Sequence, residues 1–416
     1  MNKTAQIVSV FFLLLVMLTM CPFVAAQATD GNDRLSNFGS SLLPTTETKK
    51  KKKKNEKEVE SKSAAVLAPV VQDSEGEVIH VDTTLVVSDV LVLDKNGKVV
   101  EGLTQNDFRI LEDDNRQEIS IFAKGQESAL FPRSIVLVID HSGSQFPYLK
   151  DSIEAAKTLV DSLPTNDRLA IVTDDVEVLS DFTTDRSLLK EKLDSLLERT
   201  FQGKIGKSMQ CSALMATMKE LFKGDEMRPI VIFQTDGDQS QSLAKPKVRA
   251  KLGPNFSYEE LVKTAVETGI TIYAVVPGRA YEGMTREEKR RRIREEQEIG
   301  ARTFAQIRNT TFKPGKNVLP AAILDNLAMS RERDEKAVAQ LARETGGWAS
   351  NLDSPASAAD VYARILADIN SRYMIGYYPT NETRDGRVRT ITVTINDNPG
   401  YTIWGRRKYT APNNLR

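Results

Sequence analysis

Ile135-Val136-Leu137-Val138-Ile139-Asp140-His141-Ser142-Gly143-Ser144 is the stretch on which the reading of this chain turns. Five aliphatic residues in a row leave no polar face, so the segment predicts a strand buried on both sides. A strand of that kind belongs to a sheet with helices on both faces. The run then breaks into oxygen-bearing side chains. In an open α/β sheet, ligands gather at the carboxyl ends of the strands. One Asp and two Ser hydroxyls there make an all-oxygen cluster, and Gly143 lets the chain turn tightly enough for both hydroxyls to face one centre. Hard divalent cations take oxygen ligands, and Mg2+ asks for six in an octahedron.

Outward from this stretch, helical and strand periods alternate. Leu149, Ile153, Ala156, Val160 and Leu163 recur at helical spacing, and Leu169–Val172 is a second strand. Val176–Leu179 comes too soon after it for a crossover and is expected to run antiparallel. A helix around Leu188–Leu197, a buried strand Pro229–Phe233, a helix Tyr258–Thr268 and a strand Ile270–Val276 complete the pattern. The expected fold class is α/β, a doubly wound, mostly parallel, Rossmann-like sheet. Its strand at Pro229 ends in Gln234-Thr235-Asp236-Gly237-Asp238, which puts Asp236 on the same edge as Asp140. Between them, Cys211-Ser212-Ala213-Leu214 opens a helix with Met218, Leu221 and Phe222 on its apolar side, and Ser212 falls at the cap. Residues 281–333 read as an insertion. Thr285 and Glu288 form a capping box, and Glu287/Arg291, Glu288/Arg292 and Arg292/Glu296 are spaced to pair. That helix is polar on most faces and is expected to be solvated, with the option of capping a partner site. Ala337, Val338 and Leu341 resume the α/β pattern, which stops at Gly346-Gly347, and a last helix runs from Ser354 to about Asn370.

The flanks differ in kind. Lys3, the apolar run Ile7–Met20 and the small residues Val24-Ala25-Ala26 predict a signal peptide over residues 1–26, hence a secreted protein, periplasmic or extracellular. Cys21 leaves with it, and Cys211 remains as a single thiol. Residues 27–78 carry the block Lys49–Lys54 and predict a solvated linker. The lysine block offers electrostatic contact with an anionic envelope surface. Residues 79–125 alternate as short strands around the turns Asp94-Lys95-Asn96-Gly97 and Asp113-Asp114-Asn115. Residues 373–412 are β again, with Ile391, Val393 and Ile395 alternating with threonines. The two β segments are expected to form one accessory antiparallel module beside an α/β domain at 133–372. No other stretch is long and apolar enough to span a bilayer.

The segments around Asp140, Ser212 and Asp236 together resemble the metal-ion-dependent adhesion site of the von Willebrand factor A superfamily. Its pattern is Asp-x-Ser-x-Ser after the first strand, a Thr on a later loop and an Asp after the fourth strand. Asp140, Ser142, Ser144 and Asp236 match as they stand. Ser212 takes the threonine position, with Ser208 as the second candidate. The wider chain resembles secreted bacterial von Willebrand factor A-related proteins, through Gly102-Leu103-Thr104-Gln105-Asn106-Asp107-Phe108, Leu111-Glu112-Asp113 and Met374-Ile375-Gly376-Tyr377-Tyr378-Pro379. The resemblance implies a bound Mg2+ or Mn2+, with Ser142, Ser144 and Ser212 coordinating directly and Asp140 and Asp236 directly or through water. It implies an open position filled by an Asp or Glu carboxylate of a protein ligand. The expected role is therefore metal-dependent binding or adhesion. The alternative is a structural or assembly factor of an envelope complex in which the metal is secondary.

Other chemistries fit poorly. The charge balance, 57 basic against 57 acidic residues, argues against a nucleic-acid partner. Gly203-Lys204-Ile205-Gly206-Lys207-Ser208 lacks the first glycine and the preceding strand of a phosphate loop. A Ser-His-Asp hydrolase needs a positioned histidine, and His80 and His141 are the two available, so no enzyme activity is expected. Zinc ligands of the Cys and His type are missing as a set.

Overall fold

The computed structural model describes residues 38–39, 85–124, 132–222, 228–237, 256–312, 319–353, 357–396 and 400–413. The expected signal peptide and the lysine block lie outside these. The strands and helices belong to one compact unit that begins at Phe38. No described helix is long and apolar enough to cross a membrane.

The chain enters through four strands, β1 (Val86–Leu93), β2 (Phe108–Glu112), β3 (Asn115–Gln117) and β4 (Ile121–Lys124). The α/β part comes next as β5 (Arg133–Ile139), α1 (Phe146–Ser162), β6 (Arg168–Thr173), β7 (Glu177–Thr183), α2 (Arg186–Phe201), α3 (Gln210–Ala216), β8 (Arg228–Gln234), α4 (Tyr258–Thr268), β9 (Thr271–Pro277), α5 (Arg286–Ile307), α6 (Ala321–Glu344), β10 (Ala349–Leu352) and α7 (Ala358–Ser371). The chain closes with β11 (Tyr373–Tyr377), β12 (Val388–Ile395), β13 (Thr402–Trp404) and β14 (Lys408–Thr410).

Six strands form the central sheet in the order β10-β9-β8-β5-β6-β7, and β7 alone is antiparallel. Every residue of β5 is buried. Ile135, Leu137 and Ile139 face α1, α2 and α7, where Leu149, Leu193 and Ile365 meet them. Val136 and Val138 face α3 and α4, with Leu214, Leu261 and Leu341 in the same cluster. This two-sided burial is why the segment is apolar at every position. The chain steps from β5 to β6 on one side and returns with β8 on the other, so the edge between β5 and β8 is the switch point of the sheet. Register carries the loops with it. Ile139 pairs with Thr173 on β6 and with Gln234 on β8, so residues 140, 174 and 235 leave the sheet side by side.

The short edge strand β10 has no signal in the sequence, because Ser350 and Asn351 are poor strand formers. It is placed by a close approach: a Cβ on Gly347 would stand 1.9 Å from the Ile272 carbonyl oxygen. Helix α6 runs unbroken through residue 333, where the sequence suggests the end of an insertion. Its first half packs with α5 through Leu324, Ala328, Ile293 and Tyr281, while Val338 and Ala342 in its second half pack on β9.

The terminal strands form two four-stranded sheets, β13-β1-β11-β4 and β14-β12-β2-β3. They share one core, in which Val90, Tyr373 and Ile375 meet Ile110, Ile391 and Tyr409. Gly97 at φ +77° and Asp113 and Asp114 at φ +45° and +66° make the two turns the sequence marks. Glu112 is 2% exposed and ties the second sheet to the first. It accepts Arg389 Nη1 at 3.1 Å, Tyr377 Oη at 2.9 Å and Tyr409 Oη at 2.8 Å. A buried charge with its partner removed is costly. Glu112→Ala is therefore expected to lower unfolding stability by about 3–5 kcal/mol in urea titration. A loss below about 0.5 kcal/mol would show that the pair is not needed to hold the two sheets together.

Candidate metal centre

Asp140 is fully buried at the first position beyond β5. Its amide donates to the Gln234 carbonyl at 3.1 Å, which locks the β5 loop to the end of β8. Its Oδ1 accepts the Ser142 amide at 2.9 Å and its Oδ2 accepts Gln210 Nε2 at 3.3 Å. Burial and the carboxylates of Asp174 and Asp236 push the Asp140 carboxyl well above the usual range. Three acids thus converge on one edge without enough cationic compensation. A single turn, Gly143–Gln145, brings the two hydroxyls together, with Ser142 Oγ 3.1 Å from Ser144 Oγ. Ser142 is buried and Ser144 is exposed, so the pair opens outward. Asp236 lies just past β8 and forms an ion pair with Arg331 at 2.7 Å.

Asp140, Ser142, Ser144 and Asp236 therefore share one edge. Ser212 belongs to the first turn of α3. It is fully buried in α3. Gln210, two residues before it, is the residue whose side chain reaches Asp140. Ser208 lies on the loop before α3, half-buried, with its amide donating to Asp174 Oδ2 at 2.6 Å. The same loop holds the carbonyl of His141 through the Gly206 amide at 3.2 Å.

The insertion is not free in solvent. Helix α5 crosses above the Gly143–Gln145 turn, where a Cβ on Gly300 would be 3.9 Å from the Gly143 carbonyl oxygen. Glu288 is used by the cap, 2.7 Å from both the amide and the hydroxyl of Thr285. Glu287 turns to Arg294 at 3.4 Å and Arg290 at 3.6 Å, and of the expected pairs Arg292–Glu296 forms, at 2.7 Å. Together α5 and α6 roof a cavity of about 710 Å³ whose walls include Ser144, Gln145, Asp236, Phe304 and Arg331. Gln145 is fully buried there, and neither its amide nitrogen nor its oxygen has a hydrogen-bond partner among the described residues.

Arg331, Gln210, Asp174 and Asp175 escape sequence reasoning. Arg331 sits in a helix rich in charge, with nothing to single it out. The acids Asp174-Asp175 did carry a signal, since they end a buried strand at the same edge as Asp140. His141 faces away from the paired serines: its Nδ1 lies 3.0 Å from Thr200 Oγ1, and its Nε2 is 3.5 Å from both Asp174 and Asp175. Cys211 is buried and forms no disulfide among the described residues.

Residues 134–311 match the family model for the von Willebrand factor type A domain. The last sheet strand, β10, and helix α7 lie beyond the matched span. Among solved structures, the chain is similar to the conserved hypothetical protein BatB of Bacteroides thetaiotaomicron, at 14% identity over 57% of this chain and 100% of that one, with a TM-score of 0.35. It is similar to the vWF domain of the type V pili tip protein Mfa5 of Porphyromonas gingivalis, at 13% identity over 58% and 95% of the two chains, TM-score 0.33. It is also similar to manganese-loaded TRAP protein of Plasmodium vivax, at 11% identity over 72% and 98%, TM-score 0.31. No curated protein sequence gives a significant match.

The site loop rests on a glycine. A Cβ at Gly206 would stand 2.1 Å from Asp174 Oδ1, and Asp174 cannot yield because it accepts the amides of His141 and Ser208 at 3.0 and 2.6 Å. Gly206→Ala is expected to destabilise the protein by about 1–3 kcal/mol in thermal or urea unfolding. An unchanged midpoint would mean that the loop is not packed on Asp174.

Proposed function

We propose that this chain, whose residues 134–311 form a von Willebrand factor type A domain, is a binding module that captures a carboxylate of a protein partner through a divalent cation at the β5–β8 edge. Domains of this family often mediate protein–protein adhesion. The observation that carries the reading is the donor set: Asp140 and Asp236 with the paired hydroxyls of Ser142 and Ser144, all oxygen, at the switch point of the sheet. Oxygen donors suit Mg2+ or Mn2+. A buried Asp140 pressed by two further acids also fits a site that takes a cation, because the cation removes the like-charge cost.

Ser142 and Ser144 would bind directly, and Asp140 and Asp236 directly or through water. The cation would supply one open position with strong affinity for a carboxylate, since the hydroxyls are neutral. For the third hydroxyl, Ser212 on α3 is the candidate, with Ser208 on the preceding loop as the second. The roofed cavity suits an acidic side chain on a narrow segment, with the unpartnered Gln145 amide as a second contact. Arg331 competes with the cation for Asp236, so binding must move it. The same pair supports the second reading, an assembly factor in which Arg331 compensates Asp236 and the metal is secondary. No hydrolysis is proposed, because both nitrogens of His141 are turned to other residues. The protein is proposed to be secreted, periplasmic or extracellular, with Lys49–Lys54 resting on an anionic surface.

Calorimetric titration of Mg2+ and Mn2+ into metal-free protein tests this. One saturable site is expected, lost in Asp140→Ala and weakened by Ser212→Ala, with Ser208→Ala as the comparison variant. Arg331→Ala is expected to tighten Mg2+ binding by about tenfold, or about 1.4 kcal/mol. Absence of binding in both the parent and Arg331→Ala would contradict the adhesion reading and favour the assembly factor.

A further inference from the structure

Next to the first site, on the β6 side, His141, Asp174 and Asp175 come together at the ends of β5 and β6. His141 Nε2 lies 3.5 Å from Asp174 Oδ1 and 3.5 Å from Asp175 Oδ1, and one ligand atom from each of the three residues falls within 4.8 Å of the others. The two acids are consecutive, yet they face the same side. They can do so because the chain turns there, with the Val176 amide donating to the Thr173 carbonyl at 3.0 Å, so the alternation of a strand is broken.

The hydrogen-bond network assigns the histidine tautomer. Thr200 Oγ1 donates to the Leu196 carbonyl at 2.7 Å, so it is left as an acceptor for His141 Nδ1–H at 3.0 Å. In the neutral ring, Nε2 then carries a lone pair. Among the described residues that nitrogen has no hydrogen-bond partner, the ring is 1% exposed, and it points at two carboxylate oxygens. Lone pair against lone pair in a dry place is unfavourable unless a positive centre lies between them.

We propose that His141, Asp174 and Asp175 form a second, separate cation site, for a Zn2+-type transition ion. The donor set fits that class. Imidazole nitrogen with carboxylate oxygen suits Zn2+, whereas Mg2+ seeks oxygen alone. The spacing fits as well, since metal–ligand bonds of about 2.0–2.1 Å in a tetrahedron put neighbouring ligands about 3.4 Å apart. A supporting shell is already present. Thr200 fixes the ring, Thr173 Oγ1 hydrogen-bonds Asp175, and the amides of His141 and Ser208 hold Asp174. Asp175 is 18% exposed, which leaves a way in from solvent and room for water as the fourth ligand. Because His141 sits between Asp140 and Ser142, an ion here would stiffen the loop that presents the first site.

The test uses the full chain in excess Mg2+, so that the outcome does not depend on whether the first site binds. Zn2+ affinity is read by competition with a chromogenic chelator, and Co2+ is added as a probe whose visible absorption reports four-coordinate nitrogen and oxygen ligation. The expected result is one Zn2+ per chain and Co2+ bands in the parent. Asp175→Asn, which keeps the shape of a part-exposed side chain, should weaken Zn2+ at least tenfold and abolish the bands with unchanged circular dichroism. His141→Gln should do the same. Mg2+ binding at the first site, measured separately without Zn2+, should survive Asp175→Asn. No Zn2+ binding and no Co2+ bands in the parent would overturn the proposal. Zn2+ binding indifferent to both substitutions would overturn it too.

Discussion

Parallel pairing of β5 with β8 is the constraint on which the rest of this molecule depends. The two strands run in register from Arg133↔Arg228 to Ile139↔Gln234, and the Asp140 amide adds one more bond to the Gln234 carbonyl. Parallel strands end on the same edge, so the residues just past their ends are brought together without any further device. In this chain those residues are acids and hydroxyls, Asp140, Ser142 and Ser144 beyond β5 and Asp236 beyond β8. The apolar faces of β5 contribute to two cores at once, and that burial holds carboxylates side by side which would otherwise repel. The stability of the sheet and the electrostatic tension of its edge are therefore one arrangement viewed from two ends.

Legibility in the sequence tracked the strength of local signals. The buried strands read clearly because five consecutive aliphatic residues, as in Ile135–Ile139, leave no face for water and fit a two-sided sheet. The turns at Gly97 and Asp113-Asp114 read clearly because few residues accept their backbone angles. β10 did not, since a short strand with Ser350 and Asn351 is placed by Gly347 packing on Ile272 and not by its own propensity. At the site, Asp140, Ser142, Ser144 and Asp236 could be named because each sits next to a strand end. The third hydroxyl could not be fixed, because Ser208 and Ser212 lie on either side of the start of α3 and spacing does not choose between them. Spacing alone does not say that Gln210 turns to Asp140. Arg331 was out of reach for a different reason. Its pairing with Asp236 joins residues far apart in the chain and depends on how α6 docks.

The insertion changes what the edge can do. A helix with so many charges reads as solvated, yet Ile293 and Tyr281 anchor α5 to α6, and the pair stands over the Gly143–Gln145 turn. An open edge would be reachable from any surface, whereas this roofed one is reached through the cavity beneath α5 and α6. The sandwich contributes at the other end of the domain. Arg372, just before β11, binds Asp368 of α7 at 2.7 Å and the Gly346 carbonyl at 2.7 Å, and Asp89 of β1 holds Arg228 at the start of β8 at 3.0 Å. The terminal strands thus brace the amino end of β8 while the insertion covers its carboxyl end.

The central claim is that one cation sits between the paired serines and Asp236. Crystals soaked in Mn2+ and measured near its absorption edge test it most directly. The account predicts an anomalous peak within coordination distance, about 2.2 Å, of Ser142 Oγ and Ser144 Oγ, with Arg331 displaced from Asp236. A map without a peak at that edge, and with the Arg331–Asp236 pair intact, would contradict it.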